Sequence, residues 1–187
     1  GLTSAIFYKK KHPKAKVCVL EKGMLPSGAS TKNAGFACFG SPSEILSDLE
    51  TSSEDQIYAL ILERLNGLNE LRSLVGDKNL SYDSCGGYEV FTKEDAELFE
   101  KCESFISIAN KELKDRMGLK ETYSLADNHI SDYGFSGVEH LILNKHEGAL
   151  DTGKMMAHLI KMATKLDITI LNGLEVSEFI EVNAGVE

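Results

Sequence analysis

An α/β protein, a parallel sheet interrupted by an α+β insertion, is what the sequence predicts. Three observations lead there. An apolar run, Val17, Cys18, Val19 and Leu20, ends on Glu21 and enters a loop rich in Gly, Ala, Ser and Asn. Two long amphipathic stripes then flank a strand-like stretch around Gly86-Gly87. Near the end, a striped helix feeds a short apolar strand at 168–171, the alternation of a chain returning to a parallel sheet.

Residues 2–11 predict the first helix. Leu2, Ala5 and Ile6 make an apolar face, Lys9, Lys10 and Lys11 place cations at the negative end of the helix dipole, and His12-Pro13 stops it. The strand that follows stops at an acid. In a doubly wound sheet, ligands sit beyond the carboxyl ends of the strands, where a carboxylate accepts hydrogen bonds from both hydroxyls of an adenosine ribose. Glu21 has that place, and Gly1 lies 20 residues before it, the spacing expected between acid and Gly-rich turn. On this reading the chain begins at the last glycine of a G-x-G-x-x-G fingerprint and is a fragment lacking the first strand. The same pattern serves a Rossmann-type domain for another adenosine ligand, NAD or S-adenosylmethionine, and a non-catalytic module is a further alternative.

The loop holds Gly28, Ala29, Ser30, Thr31, Asn33, Ala34 and Gly35, small or hydrogen-bonding residues suited to close approach of a phosphate or a flat ring. Phe36, Ala37, Cys38 and Phe39 follow, and so apolar a run predicts an interior. Ser53-x-x-Gln56 is a capping box, after which Ile57, Ile61, Leu65, Leu68 and Leu71 repeat at helical spacing up to Gly76. Tyr82, Cys85, Tyr88, Val90 and Phe91 predict a strand bent at Gly86-Gly87. Thr92 caps a second long helix, with Asp95 three positions on, Leu98, Phe99, Cys102, Phe105, Ile106, Ala109 and Leu113 on its buried face, and Gly118 at its end.

From 119 to 148 the pattern is broken, with a strand at 138–143. Tyr123, His129, Tyr133, His140 and His146 lack partner spacing and are read as surface or loop residues, so no catalytic residue is assigned. After Asp151-Thr152, Met155, Met156, Leu159, Ile160 and Ala163 stripe a helix. Asp167 ends it, a strand occupies 168–171, Asn172-Gly173 turn, and a last strand covers 175–182, with Glu187 also in a strand.

Composition sets limits. With 42% hydrophobic and 26% charged residues, the 187-residue chain can bury a sizeable core. Its net charge of −9, from 20 basic against 29 acidic residues, argues against nucleic acid. No apolar run approaches the roughly 20 residues that span a bilayer, and the expected location is cytoplasmic. Cys18, Cys38, Cys85 and Cys102 show no C-x-x-C spacing; all four read as reduced, with Cys18 and Cys102 on apolar faces and Cys38 beside the small-residue loop. No metal site is expected.

VLEKG at 19–23, GAS-T-K-NAGF at 28–36 and EGALDTGKMMAHLIKMATKLDITILNGLEV at 147–176 resemble the D-amino-acid oxidase and glycine oxidase (DAO) superfamily of FAD-dependent oxidoreductases. The resemblance implies a glutathione-reductase-type, Rossmann-like FAD-binding domain with an inserted α+β substrate domain, incomplete at both ends. It implies a first FAD-binding part at 1–80, a first substrate-binding part at 81–148 and an FAD-binding return at 149–187. By the same resemblance Gly1 is the close-packing glycine and Glu21 binds the adenosine ribose with Lys22 beside it. Ala29 and Ser30 line the pyrophosphate and ribityl chain, Ala34, Gly35 and Phe36 meet the isoalloxazine, and Val176 contacts adenine through its backbone. The implied activity is oxidation of the C–N bond of a small-molecule amine or amino acid by hydride transfer to the flavin, giving an imine that water hydrolyses.

Overall fold

The computed structural model describes residues 1–182 and 185–186. In chain order it contains α1 (Leu2–Lys11), β1 (Cys18–Glu21), β2 (Phe36–Ala37), α2 (Pro42–Asp48), α3 (Glu54–Val75), α4 (Asp77–Leu80), β3 (Gly87–Thr92) and α5 (Ala96–Met117). There follow β4 (Tyr123–Leu125), β5 (Val138–Asn144), β6 (Gly148–Ala149), α6 (Thr152–Lys165), β7 (Thr169–Asn172), β8 (Glu181–Val182) and β9 (Gly185–Val186). They divide into two compact units, Gly1–Ala34 with Asp151–Glu187, and Gly35–Leu150. The expectation for Glu187 lies outside the described residues.

The first unit rests on a parallel pair. β1 and β7 run in register from Cys18 opposite Thr169 to Glu21 opposite Asn172, a pairing that needs a crossover connection. α6 supplies the approach to β7. Its N-terminus is capped by Asp151, whose Oδ1 accepts from the Lys154 N–H at 2.9 Å. Ala5 and Ile6 of α1 and Leu159 and Ala163 of α6 are the buried faces of the two helices, which pack on each other. Ile168 is buried at the entry to β7.

Two expectations fail in this unit. The strand expected over 175–182 is confined to Glu181–Val182, because residues 175–180 face solvent and have no ladder partner among the described residues. Cys18 is exposed, as are Leu20 and Leu171 of the same pair. Two strands cannot cover both of their own faces.

The second unit is an antiparallel sheet, β3-β5-β4, with β5 central. Three capping boxes start the helical stretches that pack with it, Ser41 with Glu44, Ser53 with Gln56 and Thr92 with Asp95. Gly118 ends α5 in the left-handed region, with the Leu119 N–H donating to the Leu113 carbonyl. Phe39, Ile45, Ile57, Ile61, Phe91, Phe99, Phe105, Leu113 and Ile142 share one core. That core explains why the compact unit begins at Gly35: α3 contributes Ile57, Tyr58 and Ile61 to the cluster that holds Phe91 of β3.

Residues 36–39 are only half interior. Ala37 and Phe39 are buried while Phe36 and Cys38 are exposed, since extended chain sends successive side chains to opposite faces. Leu98, expected on the buried face of α5, is 40% exposed at the margin of its stripe. Among the described residues no helix is long and apolar enough to cross a membrane.

Candidate functional site

Parallel pairing gathers three of the expected site residues at one end of the first unit. Glu21 is the last residue of β1, opposite Asn172. Its backbone carbonyl accepts from the Leu174 N–H at 3.0 Å, and the Gly23 carbonyl accepts from the Gly173 N–H at 3.1 Å, so the chain leaving β7 stays against the chain leaving β1. Lys22 pairs with Glu175, and Val176 comes next, 59% exposed. The Glu21 carboxylate accepts the Gly23 N–H at Oε1, 2.8 Å away. Among the described residues Oε2 makes no hydrogen bond.

The small-residue loop is curled by its own backbone. The Gly28 carbonyl accepts from the N–H groups of Thr31 and Lys32, both at 3.0 Å, and Asn33 Nδ2 donates to the Ala29 carbonyl at 2.9 Å. Ala29, Ser30 and Ala34 are exposed. A methyl group added at Gly28 would meet nothing within 4 Å, and the same holds at Gly1, the N-cap of α1.

Gly35 and Phe36 belong to the second unit. Gly35 has a φ of +79°, and a side chain there would run into the Leu150 carbonyl oxygen, so close backbone packing alone requires glycine. Phe36 pairs with Ala149 in the β2–β6 ladder and is 77% exposed.

The second unit also holds a cavity of about 560 Å³, entirely its own. Phe36, Cys38, Tyr88, Tyr123, Tyr133 and Ile142 are among its walls, with the carboxylates of Glu44, Glu89 and Glu147. Among the described residues no Lys or Arg lines it. Burial holds the Glu147 carboxyl above its usual range, against the opposing effect of the Phe39 and Gly40 amides; the Phe39 N–H donates to Oε1 at 3.2 Å. Burial, then Glu147 and Glu44, push the Cys38 thiol up, which disfavours the thiolate needed for redox or nucleophilic work. Tyr123 is 2% exposed and its hydroxyl donates to the Gly40 carbonyl at 2.7 Å.

Tyr123 is therefore a correction, a core residue and cavity wall where a surface role was expected. The histidines remain peripheral and have local partners: His129 with Asp132 and His140 with Asp127, each at 2.8 Å, and His146 with the Lys120 carbonyl at 3.2 Å. His140 also stacks on Phe99. Among the described residues no group of three or more His, Cys, Asp or Glu side chains is placed to hold a metal ion.

Sequence reasoning missed the three cavity carboxylates. Two carried a signal: Glu44 closes the Ser41-Pro42-Ser43-Glu44 capping pattern, and Glu89 sits two positions before Phe91, on the core side of β3. Glu147 has no local signature.

The fold of the described residues is mixed α/β. The chain belongs to the DAO family, FAD dependent oxidoreductase, whose model matches residues 1–187. Glycine oxidase from Bacillus cereus ATCC 14579 is similar in structure, with a TM-score of 0.68 at 16% identity over 97% of this chain and 47% of that one. L-Amino acid deaminase from Proteus myxofaciens, solved in complex with anthranilate, gives 0.64 at 15% identity, over 99% and 38%. L-alpha-Glycerophosphate oxidase from Mycoplasma pneumoniae, solved with FAD bound, gives 0.53 at 12% identity, over 95% and 44%. This chain thus spans about half the length, or less, of these structures. No curated protein matches it by sequence.

Proposed function

We propose that this protein oxidises the C–N bond of an amine or amino acid with FAD as cofactor. The observation that carries the cofactor reading is Glu21, at the carboxyl end of a parallel strand with one carboxylate oxygen already held by the Gly23 N–H and the other without a hydrogen bond among the described residues. An acceptor fixed on one side and open on the other suits a ribose diol. Lys22, tied to Glu175, and the backbone at Val176 flank the adenine end; Ala29 and Ser30, on a loop whose Gly28 opens onto free space, serve the pyrophosphate and ribityl chain. Gly1, the N-cap of α1, is assigned the last glycine position of the fingerprint, though its surroundings in the described residues are open and not close-packed. Ala34, Gly35 and Phe36 are assigned to the ring. In function, residues 1–80 and 149–187 serve the cofactor and 81–148 the substrate, a partition distinct from that of the packing units.

When bound, FAD supplies the acceptor for a hydride from the substrate carbon next to nitrogen. The residues of this chain bind and orient. Amino-acid-processing proteins among the structural relatives support an amine or amino-acid substrate.

The test is a visible absorption spectrum of the purified protein before and after heat denaturation. Flavin bands that leave with free FAD support the proposal, and a folded, colourless protein that takes up no added FAD overturns it. Glu21→Ala is expected to weaken FAD binding by about 1–3 kcal/mol, the worth of hydrogen bonds to a charged acceptor. Unchanged flavin occupancy in that variant would remove Glu21 from the ribose.

A further inference from the structure

What the cavity of the second unit shows to a ligand is aromatic surface. Tyr88 and Tyr133 line it edge to face, with centroids 5.4 Å apart, and Phe135 stacks on Tyr133 at 5.6 Å. Tyr133 is thus positioned by two ring contacts and is still half-exposed. Phe36, a third aromatic wall, is 77% exposed. A ring that meets such walls edge to face or offset gains more than its buried area alone supplies. Cys38 and Cys85 add sulfur to the lining, which aromatic rings contact favourably. Gly86 and Gly87 line the space without adding a side chain, and the volume of about 560 Å³ fits a small molecule.

The carboxylates of the lining face the protein. Glu44 Oε2 accepts the Ser41 N–H at 3.1 Å and closes a helix cap. Glu147 is held by the Phe39 N–H at Oε1, and its Oε2 lies against Gly87, where a Cβ would run into it. Glu89 accepts the hydroxyls of Ser41, at 3.0 Å, and of Ser43, and its other oxygen is buried on the core side. Each carboxylate already has a protein partner, so the cavity does not call for a cation. Their charge, with no Lys or Arg among the described residues of the lining, disfavours an anion. What suits the space is a neutral ring.

Phe36 ties the cavity to the chemistry. It is assigned above to the flavin ring and is also a cavity wall. On that reading, a substrate whose reacting carbon faces the flavin enters the cavity with the group that does not react. We infer that this cavity is a specificity pocket for an aromatic side group, with Tyr88 and Tyr133 as its determinants. The substrate class is then an arylalkylamine, or an aromatic amino acid whose carboxylate stays outside the cavity. The inference rests on the amine-oxidising reading above.

The experiment is calorimetric titration of the full 187-residue chain with 2-phenylethanol, 2-cyclohexylethanol, butan-1-ol and 3-phenylpropanoate, none of which carries a nitrogen for the flavin to act on. The phenyl alcohol should bind about threefold or more tightly than the cyclohexyl alcohol, which matches it in chain and charge and lacks only the aromatic face. It should exceed butan-1-ol and the carboxylate by about tenfold or more. Tyr133→Leu, on a half-exposed side chain, should bring the phenyl-to-cyclohexyl ratio down to about one with the circular dichroism spectrum unchanged. Tyr88→Leu should do the same and serves if the first variant fails to fold. Absence of phenyl alcohol binding overturns the inference, as do equal affinities for the two rings, carboxylate binding as tight as that of the alcohol, or a ratio unchanged in a folded variant. FAD uptake, read on the same samples, separates the two readings. Ring selectivity in a folded protein that takes up no FAD overturns the flavin assignment alone, and FAD taken up without ring selectivity overturns the pocket alone.

Discussion

In the first unit, Glu21 reaches its position through a short strand and a four-residue parallel pairing; in the second, Glu44, Glu89 and Glu147 come from three separate stretches of chain to line one cavity. The first carboxylate is set by where a strand ends. The others are set by how a sheet, three capping boxes and a helical core close around a space. Their energetics differ in the same sense. The buried residues of the first unit are few, with apolar β1 and β7 side chains left exposed, while the second buries a continuous aromatic and aliphatic cluster. A site on a strand end survives small packing changes, whereas a cavity site depends on the core that shapes it.

Phe91→Ala tests that dependence most severely. Phe91 is fully buried and edge to face with Phe99 at 5.3 Å, and its truncation should cost about 3–5 kcal/mol. Denaturant titration would measure this, and amide exchange should quicken in β3 and α5. A loss below about 1 kcal/mol would mean that the core does not hold the cavity in the way described.

A smaller effect is expected of Tyr123→Phe, which keeps the ring and leaves the Gly40 carbonyl without its donor. The expected loss is about 0.5–1.5 kcal/mol, read from the denaturation midpoint, with FAD binding little changed because Glu21 lies in the other unit. Loss of FAD binding in step with the loss of stability would erase the contrast between the units.

The subtlest test is pH. Asp151 has its carboxyl lowered, first by the Lys154 N–H it caps, so its contribution is present above the unfolded carboxylate range and lost as pH falls through the folded pKa. Glu147 has its carboxyl raised by burial, so its contribution is present below the unfolded range and lost as pH rises through the folded pKa. Asp151→Asn should therefore flatten the acid side of the stability profile. Glu147→Gln should gain on the unsubstituted protein as pH climbs from the carboxylate range towards neutrality. Denaturation midpoints across a pH series check both signs, and matching slopes for the two variants would contradict these environments.

Much of the fold was legible because its signals are local. The stops at His12-Pro13 and Gly76, the Ser53 and Thr92 caps, the glycine after α5 and the strand now seen as β5 each depend on residues within one or two turns. The helix α2 escaped although Ser41-Pro42-Ser43-Glu44 announces it. β4 escaped for a better reason: it is three residues long, and its Tyr123 is buried among core residues distant in sequence, with its hydroxyl on the Gly40 carbonyl.

By itself the sequence determined the strand that ends on Glu21, the small-residue loop after it, the helices with their caps and the membership of an FAD-dependent family, since each is written in adjacent residues. Only the tertiary structure decided that Cys18 is exposed, that Tyr123 is core, that the second compact unit begins at Gly35 and that three distant glutamates line a cavity with three tyrosines. The reason is physical: backbone preference and capping act over a few residues, whereas burial and the electrostatics of a cavity depend on which surfaces meet across the whole chain.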